Sequence, residues 1–143
     1  RRVHWARRLK LPALTAFLIG AQSPSKLAAR LQIPERQQQL IKRSLKLHKF
    51  IRSKELSGDS LKWKPSKWCM VLESGDVTPD TVALTICLGV SDWKPMFRWW
   101  GRWRFIKASI TASGLLQNGW VTGPELGSEL QRRRLQEIDD KFT

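Results

Sequence analysis

The chain has 143 residues, 41% of them hydrophobic, and a formal net charge of +14. This size and composition allow a buried core and exclude a chain that is disordered throughout. The longest stretch without charge, residues 11–25, is interrupted by polar residues and proline and is too short to span a bilayer. No signal peptide is recognisable, so we expect a cytoplasmic protein without membrane contact. Because the chain starts at Arg1 rather than Met, we expect a processed chain or a fragment.

The positive charge is concentrated in the first third of the chain. Residues 1–54 hold 14 Lys and Arg against a single acid, Glu35, whereas residues 55–143 hold 12 against 11. A basic block on one side of a domain attracts polyanions and gains affinity by releasing their counterions. Most charge runs are only solvated helix faces, but an imbalance of this size favours a nucleic-acid partner.

Helix signals are found along the whole chain, and no segment shows the sustained period-2 alternation of a strand. In the first part of the chain, the predicted helices cover residues 9–20, closed by Gly20, then 25–31 after Ser23-Pro24, and 35–52 after Pro34. In the second part, a helix is predicted over 66–73 with Ser66 as the cap, and another starts at Pro79. A tryptophan-rich helix from Pro95, a short helix ending at Gly119 and a last helix over 124–139 follow. The predicted fold class is all-α, with about seven helices in an irregular array without a sheet.

The polar segment around Gly58-Asp59 is the candidate internal boundary, because it coincides with the change in charge. The predicted organisation is a basic helical body segment over 1–54, a linker over 55–66 and a tryptophan-rich helical tail segment over 67–143. One continuous domain is the alternative.

The helix predicted over 35–52 has one apolar stripe, which we expect to face the core. Basic residues surround that stripe: Lys42, Arg43, Lys46, Lys49 and Arg52. A helix of this kind buries one side and offers an electropositive side to a partner, so these residues are the first candidates for contacts with an RNA backbone.

The tryptophan-rich helix places aromatic residues on one face, with Arg98 and Arg102 one turn apart on another. Aromatic rings among arginines suit stacking on unpaired bases with phosphate contacts at the side. The more frequent arrangement is that such tryptophans form core and the arginines face solvent, and a helix lying on a membrane surface is a third interpretation. Gly101 is expected to mark a close approach between helices.

Near the C-terminus a tight turn at Gly119 is followed by Thr122-Gly123-Pro124, which opens the last helix. Free backbone amides at this helix start suit a phosphate oxygen, and Gly123 would let the backbone approach it closely. A plain corner between two helices, with Gly127 thinning the second helix for packing, is the alternative. Further along the same helix, Arg132, Arg133 and Arg134 are third candidates for RNA contacts, unless they only stabilise the helix dipole.

Nothing in the sequence predicts a metal site or catalytic chemistry. Cys69 and Cys87 lie 18 residues apart within apolar stretches and are predicted to be buried thiols in a reducing compartment. His4 and His48 are the only further candidates for zinc ligands, and neither forms a plausible nucleophile–base pair. The scattered acids include no carboxylate pair arranged to hold catalytic metal ions.

The stretch from Ile110 to Leu130 resembles the tail of bacterial-type (class II) tRNA nucleotidyltransferases, the CCA-adding enzymes, and of related poly(A) polymerases. That family commonly reads Ile-Thr-Gly-Lys-Asp-Leu, then a Gly, then Gly-Pro-x-x-Gly at a helix start. The positions in register are Ile110, Thr111, Leu115, Leu116, Gly119, Gly123, Pro124, Leu126, Gly127 and Leu130. Ala112 and Gly114 depart from the family's Gly and Asp, so no role is carried over to them. The likeness covers residues 9–139, including a run at 26–34 similar to the family's body, but only Gly-Pro-x-x-Gly is specific.

The resemblance implies that this chain is the helical body and tail, which in that family grip the acceptor stem and elbow of tRNA. Nucleotidyl transfer belongs there to an N-terminal head, whose Asp-x-Asp and Glu-Asp-x-x-Arg motifs do not occur in this sequence. The resemblance therefore implies no cofactor for this chain: Mg²⁺ and CTP or ATP would belong to the head, onto which the chain would dock. The implied partner is tRNA or another structured RNA.

Two other functions fit the same residues. One is a free-standing basic module that binds DNA or RNA without an attached enzyme. The other is a helical scaffold whose tryptophan face docks a protein partner, which would leave a large apolar patch exposed. An enzyme of unfamiliar type is the remaining alternative.

Overall fold

The computed structural model describes residues 2–9 and 23–143, and within these ranges the chain is all-α. It forms eight α-helices there, together with two short 3₁₀ helices at Asp59–Lys62 and Trp103–Phe105. The α-helices are α1 (Arg2–Arg8), α2 (Pro24–Arg30), α3 (Glu35–Ser57), α4 (Pro65–Leu72), α5 (Pro79–Leu88), α6 (Trp93–Gly101), α7 (Ala112–Gln117) and α8 (Pro124–Phe142). No strand occurs in the described ranges, which confirms the predicted fold class. The helix predicted over 9–20 falls almost entirely on residues that lie outside them.

Helices α3 and α5 form the centre of the fold. The apolar stripe of α3 packs on α5, in which every residue from Thr81 to Cys87 is buried. Two hydroxyl groups link the helices inside the core: Ser44 Oγ donates to the carbonyl of Thr81, and Thr85 Oγ1 donates to the carbonyl of Ser44. At the end of α5, the imidazole of His48 donates to the carbonyl of Gly89 at 3.0 Å. The basic helix is therefore fixed by its inner side, which leaves its outer side to solvent.

A single hydrophobic core runs through the described part of the chain. It joins residues of α3 with residues of α4, α5, α6 and α8, among them Ile51, Trp68, Met96 and Ile138. The two segments predicted on either side of residues 55–66 thus share one core.

Helix α8 is attached to the rest of the fold by polar contacts of Arg134, Glu137 and Asp139. The Arg134 guanidinium donates to both carboxylate oxygens of Glu73, at 2.9 and 3.1 Å. The Glu137 carboxylate accepts from the backbone N–H and the hydroxyl of Ser109. Two residues further, Asp139 Oδ1 accepts from the backbone N–H of Ser66 at 2.8 Å and so satisfies a free amide in the first turn of α4.

Helix ends differ from the predicted ones where a tertiary contact or a cap decides them. Helix α3 continues past Arg52 to Ser57, because Glu55 lies against the loop before α6 and accepts from the backbone N–H of Asp92 at 2.9 Å. It stops at Gly58, whose φ of 77° is the left-handed conformation of a helix C-cap. The prediction of Ser66 as the cap of α4 was wrong, since the cap position is Lys64 and Pro65 begins the helix. Helix α6 begins at Trp93, before the predicted Pro95.

Candidate nucleic-acid interface

Three lysines form a continuous cationic face on α3. Lys42, Lys46 and Lys49 are spaced four and three residues apart, so they share one side of the helix, opposite the buried stripe. All three are exposed, and none forms an ion pair within residues 2–9 and 23–143. Their charges therefore face solvent without compensation. We call this set the lysine face.

The two arginines predicted beside these lysines are partly neutralised. Arg43 lies 3.4 Å from the Asp76 carboxylate, and Arg52 donates to the Glu55 carboxylate at 2.8 Å. The Arg43–Asp76 pair is near the surface, where such pairs contribute little to stability, whereas the Glu55 side chain of the second pair is only 8% exposed. They nevertheless lower the local positive potential, which makes the lysine face the stronger candidate for phosphate contacts.

The tryptophan-rich helix α6 contributes mainly to the core. Met96, Trp99 and Trp103 are buried, whereas Arg98 and Arg102 are exposed on the outer side. The Arg102 guanidinium lies 4.8 Å from the centre of the Phe142 ring, where it covers the end of α8. The interpretation of this helix as packing with solvated arginines is thus the one that the burial supports.

The half-buried rings of α6 are covered by cations of the protein itself. Trp5 of α1 packs edge-on against Phe97, and the Arg8 guanidinium lies 4.9 Å from the centre of the Phe97 ring. The Arg104 guanidinium lies 5.2 Å from the Trp100 ring, and its Nε donates to the Trp100 carbonyl. A nucleotide base would have to displace these guanidinium groups before it could stack here.

Gly101 does not mark a close approach between helices, contrary to the expectation from sequence. It is exposed, and no described atom would lie within 4 Å of an added Cβ. Its position is explained by the chain instead, since α6 ends there and the backbone turns into the 3₁₀ helix that carries Trp103.

The three arginines of α8 have different environments. Arg134 is only 8% exposed; besides Glu73, it donates to the carbonyls of Ile106 and Trp103. It therefore holds α8 in place, and we exclude it from the RNA contacts predicted for this triad. Arg132 and Arg133 both donate to Glu129, whose pKa they lower to about 2. Their charges are accordingly shared with an acid of the same helix.

The start of α8 at Gly123 is exposed, and no side chain caps it. Pro124 supplies no N–H, and the amide of Leu126 already donates to the Gly123 carbonyl at 3.1 Å. Glu125 adds a carboxylate in the first turn, which competes with any anion at this position. Gly123 therefore stays a weaker candidate than the lysine face.

An open cleft lies between α8 and the segment that leads into α7. Its walls include Ile110, Thr111 and Ala112 on one side and Gly127 and Leu130 on the other. Thr111 caps α7, since its Oγ1 accepts from the backbone N–H of Gly114 at 3.1 Å. Gly127 does not thin α8 for close packing, because a Cβ there would meet no described atom within 4 Å. It keeps the cleft open instead.

Sequence reasoning missed a second cationic surface, which adjoins the lysine face. Phe50 of α3 is 42% exposed, and its ring centre lies 6.4 Å from that of Trp63. The two rings line one groove, and they are flanked by Lys54, Lys62 and Lys67. The interleaving of lysine and tryptophan at residues 62–67 is the signal that could have indicated it.

Both cysteines are buried and free. Burial raises the pKa of the Cys69 thiol to about 12 and that of the Cys87 thiol to about 11, so neither supplies a thiolate near neutral pH. No cluster of three His, Cys, Asp or Glu residues suited to a metal ion occurs in the part of the chain that the structure describes. Within the same part, no helix is both long enough and apolar enough to cross a bilayer.

No protein-family model, curated protein or solved structure matches this chain.

Proposed function

We propose that this chain is the non-catalytic, RNA-binding C-terminal region of a tRNA nucleotidyltransferase-like enzyme, and that it holds the RNA backbone by shape and charge. The observation that carries the proposal is the lysine face. Its three uncompensated cations on one side of a rigid helix match the regular array of charges on an RNA backbone.

The family part of the proposal depends on the resemblance at residues 110–130. It gains support from the fold, because positions from both halves of that motif line one cleft although they are separated in sequence. Ile110 and Thr111 form one wall, and Gly127 and Leu130 form the other.

Titrations of labelled intact tRNA, and of DNA duplex with the same number of phosphates, over a series of salt concentrations test this function. We expect tighter binding to tRNA, with a steep fall in affinity as salt rises. Equal affinity for both nucleic acids would favour the free-standing basic module. Binding to neither would refute the proposal and favour the scaffold that docks a protein partner.

A further inference from the structure

We propose that the groove around Phe50 and Trp63 binds unpaired nucleotides of the RNA, with a base stacked on the exposed Phe50 ring. This inference rests on the proposed RNA binding and adds a second mode of contact to it. The lysine face would hold paired, backbone-presenting RNA, and the groove would hold a single-stranded segment leading away from it.

The groove extends along α3 in two neighbouring parts that share the lining residues Phe50 and Val71. One part, of about 270 Å³, reaches towards Lys46 and Asp76, and the other, of about 450 Å³, reaches towards Lys62 and Lys67. The cations that line the two parts together are Arg43, Lys46, Lys54, Lys62 and Lys67, against the two acids Asp59 and Asp76. The excess of positive charge fits a polyanion that follows the groove.

Both acids of the groove already form ion pairs with other cations, so they do not neutralise Lys62 and Lys67. Asp76 is paired with Arg43, and the Lys54 ammonium lies 3.9 Å from Asp59. Lys62 and Lys67 are exposed and form no ion pair among the residues that the structure describes. These two lysines therefore stand at the rim of the groove without a carboxylate partner among the described residues, and the Lys67 ammonium lies 6.0 Å from the centre of the Trp63 ring.

The ring geometry determines how a base could bind. Stacked bases are separated by about 3.4 Å, so two rings that sandwich a base must be parallel and about 7 Å apart. The rings of Phe50 and Trp63 are 6.4 Å apart and inclined by 31°, and Trp63 is held in place by edge-on packing against the buried Trp68. A base therefore cannot enter between them. It stacks on Phe50 from the solvent side, after the flexible Lys54 tip, now 5.6 Å from the ring centre, has moved aside.

Lys46 connects the two surfaces. It belongs to the lysine face and also lines the end of the groove. An RNA strand whose phosphates contact Lys46 can continue over Phe50 and remain on a positively charged surface. This continuity favours an unpaired RNA segment over an acidic peptide, because every nucleotide supplies both a phosphate for the lysines and a planar base for the ring.

The test uses Phe50→Leu in the full chain, with Phe105→Leu as the matched control. Phe105 is likewise an exposed phenylalanine, but it lies outside the groove. The probes are labelled single-stranded oligouridylate and an RNA duplex with the same number of phosphates, followed by fluorescence anisotropy. We expect Phe50→Leu to weaken binding of the single strand at least about fivefold and to leave the duplex unchanged. Lys62→Gln with Lys67→Gln is the second variant, and we expect the same selectivity from it.

The outcomes separate this inference from the function on which it rests. If the wild-type chain binds the duplex but Phe50→Leu behaves like Phe105→Leu on the single strand, the groove does not bind unpaired nucleotides, while the proposed RNA binding stands. An equal loss of affinity for both probes would also overturn this inference, because bases paired inside a duplex expose no face on which Phe50 could stack. If the wild-type chain binds neither probe, the proposed function fails, and this inference fails with it.

Discussion

Removing the charges of the lysine face should change how RNA binding depends on salt. The perturbation is the triple variant Lys42→Gln, Lys46→Gln and Lys49→Gln. Each neutralised phosphate contributes about 0.9 to the slope of log affinity against log salt concentration, so three lost contacts should flatten that slope by about 2.7. Between about 50 and 200 mM salt, the ratio of wild-type to variant affinity should consequently fall about 40-fold. Because all three side chains are exposed, we expect folding stability to change little.

A charge-matched control separates this local effect from the influence of net charge. Lys94→Gln, Lys107→Gln and Lys141→Gln remove three exposed lysines elsewhere and lower the net charge equally. Anisotropy titrations of labelled tRNA with both variants, at four or more salt concentrations, give the two slopes. Equal flattening in both variants would refute a specific role for the lysine face, as would a loss of affinity confined to one RNA sequence.

The remaining predictions concern the core and the attachment of α8. Arg134→Leu should lower the free energy of unfolding by about 3 kcal/mol and the Tm by about 10 °C. The reason is that it leaves the Glu73 carboxylate and two backbone carbonyls without their donor. Arg132→Leu is the control and should have little effect. Asp139→Ala should cost about 1 kcal/mol in urea unfolding, since it removes the acceptor for an amide at the start of α4. Cys69 and Cys87 should both resist alkylation at pH 8 in the folded chain and react fully in urea, because deprotonation of either thiol requires a pH near its raised pKa of about 12 or 11.

Each of these three predictions would be contradicted by a specific result. Equal melting temperatures for Arg134→Leu and Arg132→Leu would mean that the buried guanidinium does not hold α8. For Asp139, the conservative Asn variant keeps an acceptor oxygen and should lie between wild type and Ala; an Ala variant as stable as wild type would contradict the capping role. Rapid modification of either thiol in the native chain would show that its surroundings open readily.

The fold class and most helix starts could be predicted from local signals in the sequence. Thr78-Pro79 illustrates why: the Thr78 hydroxyl accepts from the backbone N–H of Thr81, and Pro79 occupies the first turn, where no N–H is needed. The end of α3 could not be predicted in the same way. It depends on Glu55 meeting the backbone of Asp92, 37 residues away, and no local pattern contains that contact.

The candidate site was predictable only in part, for a related reason. Charge and helical spacing were enough to select the five basic residues of α3, Lys42, Arg43, Lys46, Lys49 and Arg52, but not to separate the lysines from the two paired arginines. Sequence alone does not show which cations are already used: Arg134 looks like its neighbour Arg133 in the chain, yet it is buried against Glu73. Phe50 was missed for the opposite reason, since a single aromatic residue among lysines has no periodicity to distinguish it from core until its exposure is known.

The contact between Asp139 and Ser66 also determines how the molecule opens. It joins two residues that are 73 positions apart in the sequence, and the Arg134–Glu73 pair joins the same two helices at the other end of α4. Neither helix can fray at these points without leaving a polar group of the other without its partner. Amide hydrogens of α4 and α8 should accordingly exchange with solvent as one cooperative unit, at a rate distinct from that of the exposed α7 turn. A ligand that protects one of these helices would then protect both.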